Sequence, residues 1–432
     1  MTENVFTSDF KQTPYWWDTT PRPDLGSPDL PDTVDIMIIG SGYTGLCAAL
    51  ETARAGRETL VIDAQDAGWG CSSRNGGIIS SEIKPSFDEL TKKYGEKAAF
   101  DMVHEGHSAL AWITDFVKSE GLDCDFDVSG EFYGAHNPAK FKKLSTHFSN
   151  QRKGLEIQGH IVPKSELHTE IGTKAYHGGL VHAKHASVDP ARLHQAILER
   201  VQKAGATIVP YCQATSIEKD GSGFVVTTAK GKVKAREVIV ATNGYTDGVS
   251  PWMQRRVIPI GSYMIATEPL PKELMDRLMP TNRPIVETRK VVYYYRPSPD
   301  RSRIIFGGRV TGGETDPVKS GPLLARDLCK LFPELSAYKI SHTWMGYIAF
   351  TFDHMAHIGQ HDGVHYAMGY CGSGISMSGY LGTRIAQQVL GKPEGKTAFD
   401  DLKFQTRPLY NGKPWFLSAS VAYFKLLDRF NI

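Results

Sequence analysis

The chain has 432 residues, more than a single hydrophobic core usually supports, so two lobes around a shared ligand site are expected. With 49 Lys+Arg against 47 Asp+Glu the formal net charge is +2, which offers no field for nucleic acid or an anionic membrane and points to a small-molecule partner. Cys47, Cys71, Cys124, Cys212, Cys329 and Cys371 form no CxxC pair and no apolar signal precedes them, so a cytoplasmic protein without disulfides is expected; no apolar run approaches the roughly 20 residues of a membrane span.

Residues 1–33, rich in Pro, Asp and Thr, read as an irregular arm. Tyr15, Trp16 and Trp17 are too apolar to stand in water, so the arm is expected to wrap the body. Val34-Asp35-Ile36-Met37-Ile38-Ile39 predicts a parallel strand covered on both faces. Gly40-Ser41-Gly42-Tyr43-Thr44-Gly45 then opens a helix, Leu46 to Ala55, closed by Gly56. Thr59–Ile62 is the next strand and ends on Asp63. Gly40 permits a tight turn, Gly42 lets a pyrophosphate approach helix N–H groups, and Gly45 lets helix and strand pack closely. Asp63 lies about 20 residues beyond the glycines, where a carboxylate accepts both ribose hydroxyls and repels a 2′-phosphate, which disfavours NADP. The motif by itself leaves NAD and FAD open.

The segment Ala67–Gly77 holds too many glycines and small polar residues for a helix interior and sits where a second phosphate-contacting turn is needed. Ser72 and Ser73 offer hydroxyls and Arg74 adds charge. Together, the glycine turn, Asp63 and the run Gly70-Cys71-Ser72-Ser73-Arg74-Asn75-Gly76-Gly77 resemble the FAD-binding amine oxidases of the D-amino-acid oxidase and sarcosine oxidase superfamily. Within it the chain most resembles the branch containing gamma-glutamylputrescine oxidoreductase. The resemblance implies an α/β chain, with a Rossmann-type FAD-binding domain and an interleaved α+β substrate domain built on a mixed sheet. It implies that residues 34–86, 173–250 and 346–395 belong to the FAD-binding domain. Residues 87–172 form a helical and mixed insertion, partly substrate domain, 251–345 the substrate domain, and 396–432 a tail. FAD contacts are implied at Gly40, Gly42, Tyr43, Thr44, Gly45, Asp63, Ala64, Ser72, Ser73, Arg74, Asn75, Gly76 and Gly77.

Farther along, Asp189 caps a helix with Pro190 in its first turn. Gly205–Val209 and Ala214–Ile217 read as strands, followed by a Gly221-Ser222-Gly223 hairpin. Val238–Val240 is a buried strand ending in a small-residue turn. In the superfamily that turn, with Thr242, lies by the dinucleotide, and Thr215 falls on the strand whose backbone reaches the adenine. From Pro251 to Thr343, Tyr263, Tyr293-Tyr294-Tyr295, Arg296 and Phe306–Arg309 suggest a mixed or antiparallel sheet carrying aromatic side chains. Tyr293 and Tyr295 share one face and Tyr294 the other, so at most one face lines a site. Val364–Met368 is strand-like, and Gly372-Ser373-Gly374-Ile375-Ser376 opens a helix running to about Leu390. By resemblance its N–H groups face the pyrimidine oxygen of the flavin and stabilise the charge of the reduced ring.

His342, His354, His357, His361 and His365 are crowded in sequence, but alternation along a strand disperses them and no metal site is expected. Asp353 with His354 is an acid/base pair or an exposed turn. The implied reaction is oxidation of a small primary or secondary amine to an imine, which water hydrolyses to a carbonyl compound, with hydrogen peroxide formed from oxygen. Tyr263, Trp344 and Tyr347 are candidates for an aromatic cage and Arg309 for gripping a carboxylate. Some relatives carry a lysine on the strand resembling Ile304–Gly308; none is present here, which leaves oxygen or another acceptor open, with a dehydrogenase feeding a quinone or electron-transfer protein as the alternative. Positions where some relatives attach FAD covalently hold Asn75 and the run Gly346-Tyr347-Ile348, so noncovalent FAD is expected. The apolar tail from Pro414 is expected to cover the protein's own surface. Substrate identity and oligomeric state are not legible.

Overall fold

The computed structural model describes residues 5–309 and 311–430. Two large sheets carry the molecule. The first has parallel strands Thr33–Ile39, Thr59–Ile62 and Thr207–Val209, with Gly231–Val240 alongside Thr33–Ile39 and an antiparallel wing of Ala214–Asp220 and Gly223–Thr228. Val364–Met368 joins Gly231–Val240 in parallel, and His357–His361 hangs from it. Ile36, Met37 and Ile38 are wholly buried, as a strand covered on both faces requires. Helices Tyr43–Arg54, Pro190–Lys203 and Gly374–Val389 lie on this sheet and share one core with the long helix Glu96–Glu120. Asp189 accepts from the N–H groups of Ala191 and Arg192, with Pro190 first in the helix, as expected.

The second sheet is mixed and nine-stranded. Its order is Phe6–Lys11, Ile340–Phe350, Ile258–Thr267, Ile304–Gly308, Tyr294–Pro297, Ile285–Glu287, Glu131–Gly134, Gly178–His182 and Gly159–Pro163. Helix Pro317–Leu331 covers its outer face through Leu324, Leu328 and Leu331, against Phe132, Tyr295, Phe306 and Ile265.

Several boundaries differ from those read in the sequence. The arm is not irregular: Phe6–Lys11 pairs parallel with Ile340–Phe350, and Trp16–Thr19 is a helical turn. Ladder hydrogen bonds outweigh its Pro- and Asp-rich composition. Gly178–His182 belongs to the second sheet, so the chain returns to the first only after His182, and Ile340–Phe350 crosses the 345/346 boundary without a break. In the tail, helix Leu417–Phe430 buries Leu417 and Val421 but leaves Tyr423, Leu426 and Phe430 exposed. Among the described residues no helix is long and apolar enough to cross a membrane.

Candidate active site

The glycine turn is built as its sequence demands. Gly40 has φ +107°, and a Cβ there would stand 2.9 Å from the carbonyl oxygen of Ala241; a Cβ on Gly45 would fall 1.8 Å from the carbonyl oxygen of Gly40. Only glycine permits that proximity. Gly42 caps the helix Tyr43–Arg54 in an extended conformation with no side-chain cap of its own. Its role is filled from outside: Ser72 Oγ accepts from Tyr43 N–H at 3.0 Å, and a Cβ on Gly42 would meet that oxygen at 2.9 Å. A hydroxyl therefore stands at a helix N-terminus, where donors and dipole favour an anion. This cradle fits a dinucleotide pyrophosphate. The Tyr43 and Thr44 side chains point elsewhere, Tyr43 Oη donating to Pro190 O at 2.8 Å and Thr44 Oγ1 lying 2.6 Å from Tyr370 Oη.

Asp63 holds the turn from the end of its strand. Its Oδ2 accepts from Ser41 N–H at 2.8 Å and Ser41 Oγ at 2.6 Å, and its Oδ1 from Gln65 N–H at 3.0 Å. Burial pushes its carboxyl up, opposed by these hydrogen bonds. Ala64 beside it is exposed. His194, which carried no signal in the sequence, supports the same turn: its Nε2 lies 2.7 Å from Ser41 O, so it donates there. A Cβ on Gly68 would collide with that imidazole at 2.3 Å. Thr215 stands apart, exposed, with Oγ1 on Thr227 O. The backbone that approaches Asp63 is instead at Cys212, whose N–H donates to Asp63 O at 2.7 Å.

In the serine loop the residues divide between ligand side and scaffold. Ser73 is wholly buried, donates to Gly68 O and accepts from Trp17 Nε1. Asn75 ties the loop to itself through Cys71 O, Ser72 O and Gly77 N–H, and its carbonyl accepts from Trp16 Nε1 at 2.9 Å. The arm thus fastens this loop. Arg74 lies between the Trp17 and Trp69 rings, 4.6 and 4.2 Å from their centroids, with Nε on Trp69 O. Gly77 has φ +68° and no room for a side chain beside Val188 O, and buried Arg296 donates to the carbonyls of both Gly77 and Val188.

The last glycine turn joins these parts. Cys371 (φ 52°) and Gly372 (φ +107°) precede helix Gly374–Val389; Ser373 Oγ donates to Glu82 O at 2.5 Å, and Ser376 Oγ to Ser80 O at 2.9 Å. Gly369 N–H donates to Asn243 Oδ1, and Thr242 Oγ1 bonds Thr246. Ile375 is buried in the core, whereas a Cβ on Gly374 would meet nothing within 4 Å. Turn, serine loop and last helix therefore converge.

The aromatic candidates do not form one cage. Cross-strand register places Tyr294, Gly307, Met264 and Trp344 in one row. That row faces Gly76, whose Cβ would stand 3.0 Å from the Tyr294 ring. Tyr263 is paired with Gly308 and Met345, one step along, so it points to the outer face. There Tyr263 Oη donates to Glu314 at 2.8 Å, and Arg309 donates to Glu314, Gly261 O and Gly312 O. Trp344 is wholly buried, its Nε1 on Arg74 O. Tyr347 is partly exposed, with its ring edge-on to Tyr245 and its N–H on Tyr245 Oη. Glu314 was invisible in the sequence as one acid in a loop.

The clustered histidines take separate partners. His342 bonds Asp18, His361 stacks on Trp252, and His365 meets Glu237. Asp353 pairs with His357, not with His354, which stands in a turn at φ 60°.

The sequence profile described as DAO, FAD dependent oxidoreductase, matches residues 35–388. Gamma-glutamylputrescine oxidoreductase of Escherichia coli (strain K12) is 31% identical over 408 residues, covering 93% of this chain and 94% of the relative. Probable oxidoreductase OrdL of Rhizobium meliloti (strain 1021) is 28% identical, covering 96% and 97%. Among solved structures, glycine oxidase from Geobacillus kaustophilus superposes with a TM-score of 0.71 at 20% identity, over 88% of this chain and 99% of that one. With the glycine turn, its carboxylate and the serine loop in place, the chain belongs to the DAO family of FAD-dependent oxidoreductases.

Proposed function

We propose that this protein oxidises a small primary or secondary amine, of the gamma-glutamylputrescine type or a related amino-acid-derived amine, to an imine that water hydrolyses to a carbonyl compound and an amine. The observation that carries this reading is the end-to-end similarity to gamma-glutamylputrescine oxidoreductase. When bound, FAD supplies the two-electron acceptor for hydride from the amine α-carbon and the donor that reduces oxygen to hydrogen peroxide. Ser72, the Tyr43 N–H and the helix behind it would hold the pyrophosphate; Asp63 would hold the ribose. The chain's own work is to orient and to keep water out. Tyr294 is fixed by its hydroxyl contact with Ser262 at 2.7 Å, and with Met264 it presents an apolar surface toward Gly76. Arg309, held by Glu314 on the opposite face of the sheet, would act on that surface only through the Gly261 backbone.

Anaerobic mixing of the FAD-loaded protein with a panel of amines should bleach the flavin with at least one of them. No bleaching by any amine overturns the reading. The strand Ile304–Gly308 is wholly buried and carries no cation, which favours a second reading in which electrons pass to a quinone or electron-transfer protein. Peroxide formed stoichiometrically in air supports the oxidase; reduced flavin that persists in air supports the dehydrogenase.

A further inference from the structure

The large apolar side chains that the fold leaves in water are gathered in one place. Among the described residues they are Val128, Tyr211 and, between residues 409 and 430, Leu409, Trp415, Tyr423, Phe424, Leu426 and Phe430. Single exposed apolar side chains are ordinary, whereas a cluster in one short segment marks a surface with a use. Helix Leu417–Phe430 turns one side to the body: Leu417 and Val421 are buried, and Asp428 on that side accepts from the N–H groups of Lys290 and Val291 at 2.8 and 3.0 Å. Ser418 packs on the loop after Ile304–Gly308, its Cα 3.4 Å from the position of a Cβ on Gly312. These contacts fix the rotation of the helix. Tyr423, Leu426 and Phe430, spaced i, i+3 and i+7, therefore form a stripe turned away from the body, with relative exposures of 58%, 50% and 62%.

Around this helix the charge is one-sided, although the whole chain carries only +2. Beside Lys425 stand Arg326 and Lys330, with Asp327 among them; burial lowers the Lys425 ammonium, Asp327 opposes this, and the neighbouring cations add to it. Beside Asp428 stand Lys140, Lys143 and Lys290; burial lowers the Lys140 ammonium, the other two lysines add to this, and Asp428 opposes it. Each carboxylate is outnumbered, and Arg429 lies exposed on the helix itself. An apolar stripe with aromatic rings and a basic surround is the make-up of a helix lying in a membrane interface: the stripe enters the acyl boundary, the rings sit at headgroup depth and the cations meet lipid phosphates. With 14 residues the helix is too short to span a bilayer and can only lie on one. A second copy of the chain suits this face less well, because isologous pairing would set two basic rims against each other.

We propose that helix Leu417–Phe430, with Leu409 and Trp415 before it, docks the protein on the surface of an anionic lipid bilayer. Docking goes beyond the amine-oxidation reading and does not depend on it. It would bring the enzyme to the phase in which a quinone acceptor dissolves.

Flotation of the FAD-loaded protein with vesicles of equimolar phosphatidylglycerol and phosphatidylcholine tests the docking. Binding should be at least tenfold weaker on vesicles of phosphatidylcholine alone and should fall as sodium chloride is added. Leu426→Glu combined with Phe430→Glu should weaken binding at least tenfold, and so should Lys290→Glu combined with Arg429→Glu. All four side chains are exposed, so both variants should keep the wild-type melting temperature and flavin content. No binding by the wild type overturns the proposal, and so does binding indifferent to headgroup charge or to either pair of substitutions. A dimer in light scattering that Leu426→Glu splits, without vesicle binding, gives the face to a second copy and overturns it as well.

Discussion

Gly374→Val tests the proposed place of the flavin ring, and its stability cost can be worked out beforehand. Gly374 opens helix Gly374–Val389, and a Cβ there would meet no protein atom within 4 Å. Replacing glycine by valine at a helical position gains about 0.4 kcal/mol in propensity, an upper limit at a first residue. For a chain of 432 residues that corresponds to a melting shift of only about 0.5 °C, so the variant should fold. If the N–H groups at this end address the ring, a branched side chain stands in their approach, and losing one such donor costs about 10²–10³ in rate. Sulfite affinity of the oxidised protein should fall with the rate, since both reward negative charge on the ring. Stopped-flow reduction by the best amine, a sulfite titration and a thermal melt measure the three quantities. An FAD-loaded Gly374→Val protein that titrates with sulfite and is reduced at wild-type rates refutes the placement.

Asp63→Asn should weaken FAD binding by about 1.5–3 kcal/mol, the worth of a charge-assisted contact, and unchanged retention on dialysis would contradict the ribose role. Trp16→Phe removes the donor to the Asn75 carbonyl and should cost about 1–3 kcal/mol of stability, read by urea unfolding; a neutral result means the arm does not fasten the loop. Burial depresses the imidazole of His194 to about 3. The folded state keeps it neutral while the unfolded ring titrates near its ordinary 6.5, so its contribution is present above that pH and is lost as pH falls toward 3. His194→Gln should therefore flatten the acid limb of stability between these values, and an unaltered slope excludes the assignment. Acid precipitation should release intact FAD into the supernatant, whereas flavin in the pellet would show a covalent bond.

Legibility followed the local physics. Strand, glycine turn, helix, strand and acid from Val34 to Asp63 were readable because each depends on near neighbours and on backbone space that only glycine leaves. The Asp189 cap and the Gly221–Gly223 hairpin were readable for the same reason. His194 and Arg296 were not: each acts by donating to a carbonyl distant in sequence, Ser41 in one case, Gly77 and Val188 in the other. The arm misled by composition, because a strand added to a sheet edge is stabilised by its neighbour's backbone more than by its own residues. Near Thr215, whose side chain is exposed, the contact with the end of the Asp63 strand is made by the backbone of Cys212, three residues earlier.

The substrate sheet carries the same lesson into the site itself, because strand side chains alternate faces and register decides what an aromatic residue can do. Tyr263 and Trp344 are both large, buried aromatics, yet one step of register separates them onto opposite faces. The residue the inner face is built around is Tyr294. A Cβ on Gly307 would lie 2.4 Å from its ring, and one on Gly76 3.0 Å, so both glycines give up a side chain to the same tyrosine. Ser262 fixes the far end of that ring. Its position is thus over-determined by sheet and loop together, which suits a group that shapes a binding surface. Arg309 and Tyr263, on the other face, are held by Glu314. Their influence on an amine bound at the inner face must pass through the Gly261 backbone, where Arg309 and Glu314 meet the carbonyl and the N–H of one residue.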